Sequence, residues 1–147
     1  MMNENQSLPA ALEEIVELFE ESTGTEKIEL LVDYAQRMPP LPARLAEKSQ
    51  DMDRVEECMT PVAVVAESED GRLNFYFDVP EESPTVRGFA SLMADGVRGC
   101  TPDEILAIPA DFYLRMGLQD VLTYQRLNGL SAILAHMKRL AVSSIKI

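Results

Sequence analysis

The sequence predicts an α+β fold: a helical N-terminal segment, a small antiparallel sheet and a helical C-terminal segment. Three observations lead there. Apolar residues recur at helical spacing before Pro39 and again after Ser83. Between these regions the pattern switches to strand alternation around an Asp70-Gly71 turn signal. Helices and strands are also segregated along the chain rather than alternating, which disfavours a parallel α/β sheet.

Leu8, Leu12, Ile15, Val16 and Phe19 give the first amphipathic helix, over about 8–21. Thr23-Gly24-Thr25-Glu26 has capping-box spacing, and Ile28, Leu31, Val32, Ala35 and Met38 line the second helix. Pro39, Pro40 and Pro42 end it, because proline lacks an amide and disfavours helical geometry in the residue before it. The polar stretch from Ala43 to Arg54 reads as a surface connection.

Val62 to Ala66 is a continuous apolar run, and Leu73, Phe75 and Phe77 alternate with Asn74, Tyr76 and Asp78. These form two antiparallel strands, and a third strand is placed just before Cys58, making the sheet three-stranded. Ser83 as cap and Pro84 in the first turn open the next helix, whose buried face is Val86, Phe89, Ala90, Met93 and Val97. Gly96 and Gly99 are expected to close it. Thr101-Pro102-Asp103-Glu104 repeats the capping box before a short helix to about Ala107, and Pro109 restarts the chain into another that stops near Gly117. The last helix runs from about Tyr124 to Val142 on a stripe of Leu127, Leu130, Leu134, Met137 and Ala141.

With 147 residues, 46% hydrophobic and 26% charged, the chain suits one domain over 1–147, with 1–7 as a flexible terminus. No apolar run approaches the roughly 20 residues that cross a bilayer, so a cytoplasmic protein without a membrane partner is expected. The net charge of −12 opposes binding to nucleic acid. Charge is unevenly spread: the first 26 residues carry seven acids and no base, while Arg126, Lys138, Arg139 and Lys146 follow the last acid, Asp120. The basic end reads either as a patch for an acidic partner or as a solvated helix face.

Cys58, Cys100 and His136 are too few for a tetrahedral zinc site on their own, so no metal is expected. A Cys58–Cys100 disulfide remains open on sequence. There is no phosphate-binding glycine loop, no His-Glu-x-x-His and no Gly-x-Ser-x-Gly, which leaves the common nucleotide, metalloprotease and hydrolase readings without support. Cys58 stands where a polar approach, ending in Glu56-Glu57, turns into the first clear strand. It reads either as a thiol presented to a partner or as a small buried apolar residue, and local sequence alone favours burial.

Several stretches resemble the SufE family of sulfur acceptors, in the same order over about Thr25 to Ala141. They are Ile28-Glu29-Leu30-Leu31-Val32-Asp33-Tyr34-Ala35 with Met38-Pro39-Pro40-Leu41-Pro42, then Val86-Arg87-Gly88-Phe89-Ala90, then Thr101-Pro102-Asp103-Glu104-Ile105-Leu106, then Arg126-Leu127-Asn128-Gly129-Leu130. The resemblance implies a SufE/IscU-like fold with Cys58 as the persulfide acceptor. It also implies supporting or partner-binding roles for Arg126, Thr60, Asn128 and Gly129. From residues alone, Arg126 reads equally as an exposed surface arginine and Asn128-Gly129 as a close-packing step. The chain departs from the family's Gly-Cys-Gln-Ser-x-Val-Trp loop with Glu57-Cys58-Met59-Thr60-Pro61-Val62-Ala63, and has Val121 and Tyr124 where a histidine and a proline are expected.

The implied function is to take sulfur from a SufS-type cysteine desulfurase, activate that enzyme, and deliver the sulfur to an Fe-S assembly scaffold complex of the SufBCD type. The carrier would act in a relay, as a monomer or weak homodimer, and hold no cofactor, since the desulfurase carries the pyridoxal phosphate. Glu56, Glu57 and Asp53 should discourage ionisation of Cys58, with Arg54 the only base close in sequence, so the partner's site is expected to complete activation. Two alternatives stand beside this reading: a non-catalytic modulator of the desulfurase, and an Fe-S scaffold, which two cysteines disfavour. Cys100 reads as an incidental thiol, His136 as a partly buried packing residue, and Asp78 and Arg87 as structural.

Overall fold

The computed structural model describes residues 8–47, 52–55 and 60–145. Cys58, with Glu56, Glu57 and Met59, lies outside the described residues, as do the N-terminal seven residues and Lys146. The expected α+β fold is present: helices α1 (Ala10–Glu20), α2 (Gly24–Arg37) and α3 (Ala43–Ala46) precede strands β1 (Asp53–Arg54), β2 (Ala63–Glu69) and β3 (Arg72–Asp78). Helices α4 (Pro84–Gly96), α5 (Pro102–Leu106) and α6 (Tyr124–Ile145) follow, with two single 3-10 turns at Phe112–Leu114 and Leu118–Asp120.

The sheet has the order β1-β2-β3 and is antiparallel throughout, with Asp53 opposite Val64 and Ala63 opposite Asp78. Asp70 (φ 56) and Gly71 (φ 79) both take positive φ, the geometry of the two-residue turn whose twist matches the strands it joins. Leu73, Phe75 and Phe77 alternate inward from β3 and are buried with Phe89, Met93 and Val97 of the α4 region. Burial of each such side chain contributes about 1.5–3 kcal/mol.

Among the described residues the α2–α4 contact is the most extensive between two elements. It requires Gly88, where an added Cβ would stand 2.0 Å from the Leu31 carbonyl oxygen. α1 packs on the same helix at Gly96, where a Cβ would meet the Leu12 backbone at 3.1 Å. Gly96 therefore serves close packing inside the helix rather than closing it; Gly99, at φ +73, supplies the left-handed step beyond.

The structure corrects several local expectations. The stretch before Cys58 is not merely a surface connection, because Met52 and Val55 are buried on either side of β1. After Pro109 no α-helix forms: Phe112, Met116 and Leu118 must all reach the core within seven residues, and left-handed Gly117 turns the chain between two 3-10 turns. The buried stripe of α2 includes Lys27 in place of Ile28, since the Lys27 ammonium donates to the Phe19 carbonyl at the C-terminal end of α1. Lys138, expected on a basic surface, turns its ammonium to the Ile108 carbonyl, and burial lowers its pKa.

Candidate functional site

β1 and β2 bring the two sides of the Cys58 region together. The Val55 amide donates to the Val62 carbonyl at 3.0 Å, so the described chain leaves and re-enters the sheet at one rung. Val55 and Val62 are both buried, which fixes this end of the sheet on the core. Thr60, half-buried, donates its hydroxyl to that of Ser83 at 3.3 Å. Ser83 holds the N-cap position of α4 but makes no side-chain cap bond, contrary to the expectation of a serine cap; its hydroxyl is the acceptor for Thr60 instead.

Arg126 arrives at the same helix end from α6. The Thr123 hydroxyl accepts from the Arg126 amide at 3.2 Å, a capping bond that starts α6, and Arg126 Nη1 donates to the Thr85 hydroxyl at 3.0 Å. Thr60 and Arg126, far apart in sequence, therefore converge on residues 83–85, where the first-turn amides of α4 present positive partial charge. The helix start is itself held by Arg87, which donates to the Ala35 carbonyl at 3.0 Å and to the Val79 carbonyl at 2.6 Å. Arg87 is thus structural, as expected.

The other singled-out residues divide. Gly129 is buried in α6, whereas Asn128 is exposed and takes no part in close packing. His136 is half-buried; its Nε2, enclosed and without a hydrogen bond among the described residues, lies 3.5 Å from the Asp53 carboxylate, and its Nδ1 lies 3.1 Å from Arg139 Nη2. Cys100 is buried beside Leu73, at the Arg72 end of β3, and burial pushes its thiol pKa up. The Cys58–Cys100 disulfide left open by the sequence involves Cys58, which lies outside the described residues.

Among the described residues no group of three or more His, Cys, Asp or Glu side chains is arranged to hold a metal ion, and no helix is long and apolar enough to cross a membrane. Sequence reasoning missed Thr85 entirely and misassigned Ser83. The available signal is two hydroxyl residues flanking Pro84 at a helix start, a pattern that helix capping also produces.

The family model described as "SufE: Fe-S metabolism associated domain" matches residues 13–141. Over 134 residues the chain is 42% identical to an uncharacterized SufE-like protein of Mycobacterium tuberculosis, covering 90% of this chain and 92% of that one. It is 24% identical over 119 residues to the cysteine desulfuration protein SufE of Plasmodium vivax, covering 80% of this chain and 46% of that protein. The solution structure of a hypothetical protein from Thermus thermophilus matches with a TM-score of 0.82 at 35% identity, over 94% of this chain and 98% of that one.

Proposed function

The chain belongs to the SufE family, and on that premise we propose that it carries sulfur on Cys58, taking it from a SufS-type cysteine desulfurase and passing it toward Fe-S cluster assembly. The observation that carries this reading is the convergence of Thr60, two residues beyond Cys58, and Arg126 on the start of α4.

The chemistry is a thiol exchange. The Cys58 thiolate attacks the outer sulfur of a persulfide on the desulfurase, a new S–S bond forms on Cys58, and the old one breaks as the partner's cysteine leaves as a thiolate. One sulfur moves with no net oxidation. The desulfurase supplies the pyridoxal phosphate chemistry that generates the persulfide, and this chain needs no cofactor for its own step. The Arg126 guanidinium and the positive end of α4 favour a thiolate or persulfide anion close by, whereas Glu56, Glu57 and Asp53 oppose it. Docking that covers the acids would tip this balance, so activation belongs to the complex. In the same reading, the Thr60–Ser83 bond fixes one end of the Cys58 segment, Arg126 orders the helix end it faces, and an Fe-S scaffold complex of the SufBCD type receives the sulfur.

The test is cysteine-dependent alanine release by a SufS-type desulfurase with and without this chain. Wild type and Cys100→Ser should accelerate turnover, and Cys58→Ser should bind the desulfurase without accelerating it. Acceleration by Cys58→Ser equal to wild type would instead identify a non-catalytic modulator.

A further inference from the structure

β3 forms an edge of the sheet. In its ladder with β2, Arg72 pairs with Glu69, Asn74 with Glu67 and Tyr76 with Val65, across a two-residue turn. Leu73 faces the other way: its amide donates to the Cys100 carbonyl at 2.8 Å, and its carbonyl accepts from the Gly99 amide at 2.9 Å. Hydrogen-bonding direction alternates along a strand, so Phe75 and Phe77 also turn their amides and carbonyls to this outer edge. The Gly99–Cys100 segment covers Leu73 alone, and among the described residues no hydrogen bond takes the outward groups of Phe75 or Phe77.

These groups border a cavity of about 410 Å³. Pro39, Pro40 and Leu41, leaving α2, line it together with Phe75 and Phe77. The two prolines have no amide to donate, so that segment cannot serve as the missing strand. The Phe75 and Phe77 side chains are buried in the core, so it is their outward amides and carbonyls that form a strand edge unpaired among the described residues. A strand residue occupies roughly 160 Å³ at ordinary strand and sheet spacings, so the cavity admits about two to three residues.

Charge identifies the occupant further. Arg37 and Arg98 line the cavity with a single acid, Asp95, so its charged lining is net basic in a chain of net charge −12. Arg37 stacks on Tyr34 at 4.2 Å and reaches Asp33 at 3.4 Å; Arg98 reaches Asp95 at 3.0 Å. Both pairs are solvent-exposed and weak, so either guanidinium can turn to a carboxylate arriving with a ligand.

We infer that this groove binds an extended segment of a partner protein, which adds a short strand to β3 at Phe75–Phe77 and places an aspartate or glutamate beside Arg37 or Arg98. The inference stands apart from the sulfur-carrier reading. β1, which leads toward Cys58, lies at the opposite edge of the sheet, about 10 Å away across two strand spacings. A partner held on β3 leaves that edge free, so the same molecule can be tethered on one side and act on the other.

The test selects peptides from a displayed random heptapeptide library against the full chain and titrates one selected peptide into the ¹⁵N-labelled protein. The selected sequences should alternate β-branched or aromatic residues and carry an acid. The Phe75 and Phe77 amides should shift and gain at least tenfold protection from exchange. Ala94→Trp, which fills the cavity, and Arg98→Glu, which reverses a charge on an exposed side chain, should each weaken binding at least tenfold with the Tyr76 amide still protected. The inference is overturned if no sequence is enriched, if the shifts map away from β3, or if both amides are already protected in the free chain. It is also overturned if removing residues 1–7 creates the binding, because the natural occupant is then the chain's own terminus.

Discussion

The Arg126 guanidinium of α6 donates to the Thr85 hydroxyl of α4 at 3.0 Å, joining residues 41 positions apart. Arg126 is exposed, so Arg126→Ala should change stability by no more than about 0.5 kcal/mol. In the carrier reading it should still lower desulfurase activation at least tenfold, with Arg126→Lys falling between because it keeps charge but loses the planar fork. Thermal melts and the alanine-release assay on the same samples separate the two effects.

The Thr60–Ser83 bond should behave as a local anchor. Thr60→Val and Ser83→Ala are each expected to cost about 1 kcal/mol, and the double variant less than the sum, since either change alone removes the same bond. Urea unfolding of the four proteins in the double-mutant cycle measures the coupling.

Gly88→Ala should be the most damaging glycine substitution here. Its Cβ would meet the Leu31 carbonyl oxygen at 2.0 Å and the carbonyl carbon at 2.8 Å, so α2 and α4 must separate, at a cost of at least about 3 kcal/mol. Gly99→Ala meets nothing within 4 Å but must hold φ +73, and should cost only about 1 kcal/mol. Denaturation midpoints will rank the two.

Acid should weaken the attachment of α1. Arg115 binds Glu13 at 3.0 and 2.7 Å and Glu20 at 3.1 Å, and its hydrogen bonds hold the Glu13 pKa below the ordinary glutamate value against the opposing effect of burial. A depressed folded-state pKa contributes stability that is present above the unfolded value and lost as pH falls through the folded one. Glu17, raised chiefly by its hydrogen bond with Glu13, works in the opposite sense, and Glu67, lowered by Arg44, in the same sense as Glu13. Arg115→Met should therefore flatten, without abolishing, the loss of stability between about pH 6 and about pH 3. Urea titrations across that range supply the check.

Much of the fold was legible because its signals are local. The Glu26 carboxylate accepts from the Thr23 amide at 2.8 Å, and the Thr101–Glu104 box is closed by bonds in both directions, as their four-residue patterns foretold. Asp70-Gly71 likewise declares its turn through backbone preference alone. What the sequence hid is set by distant neighbours. Lys27 is buried because the end of α1 offers it a carbonyl, and Ser83 gives up capping because Thr60 arrives from another part of the chain. At the site, Arg126 was identified from its position in a family-like stretch, whereas Thr85 has no pattern of its own and became visible only once α4 and α6 were placed together.

The most direct test of the carrier reading is the intact mass of this protein after incubation with a SufS-type desulfurase and cysteine under non-reducing conditions, comparing wild type, Cys58→Ser and Cys100→Ser. The account predicts a reducible gain of roughly 32 Da, one sulfur atom, on wild type and Cys100→Ser and none on Cys58→Ser. A gain that persists in Cys58→Ser, or no gain on any of the three despite desulfurase binding, would contradict it.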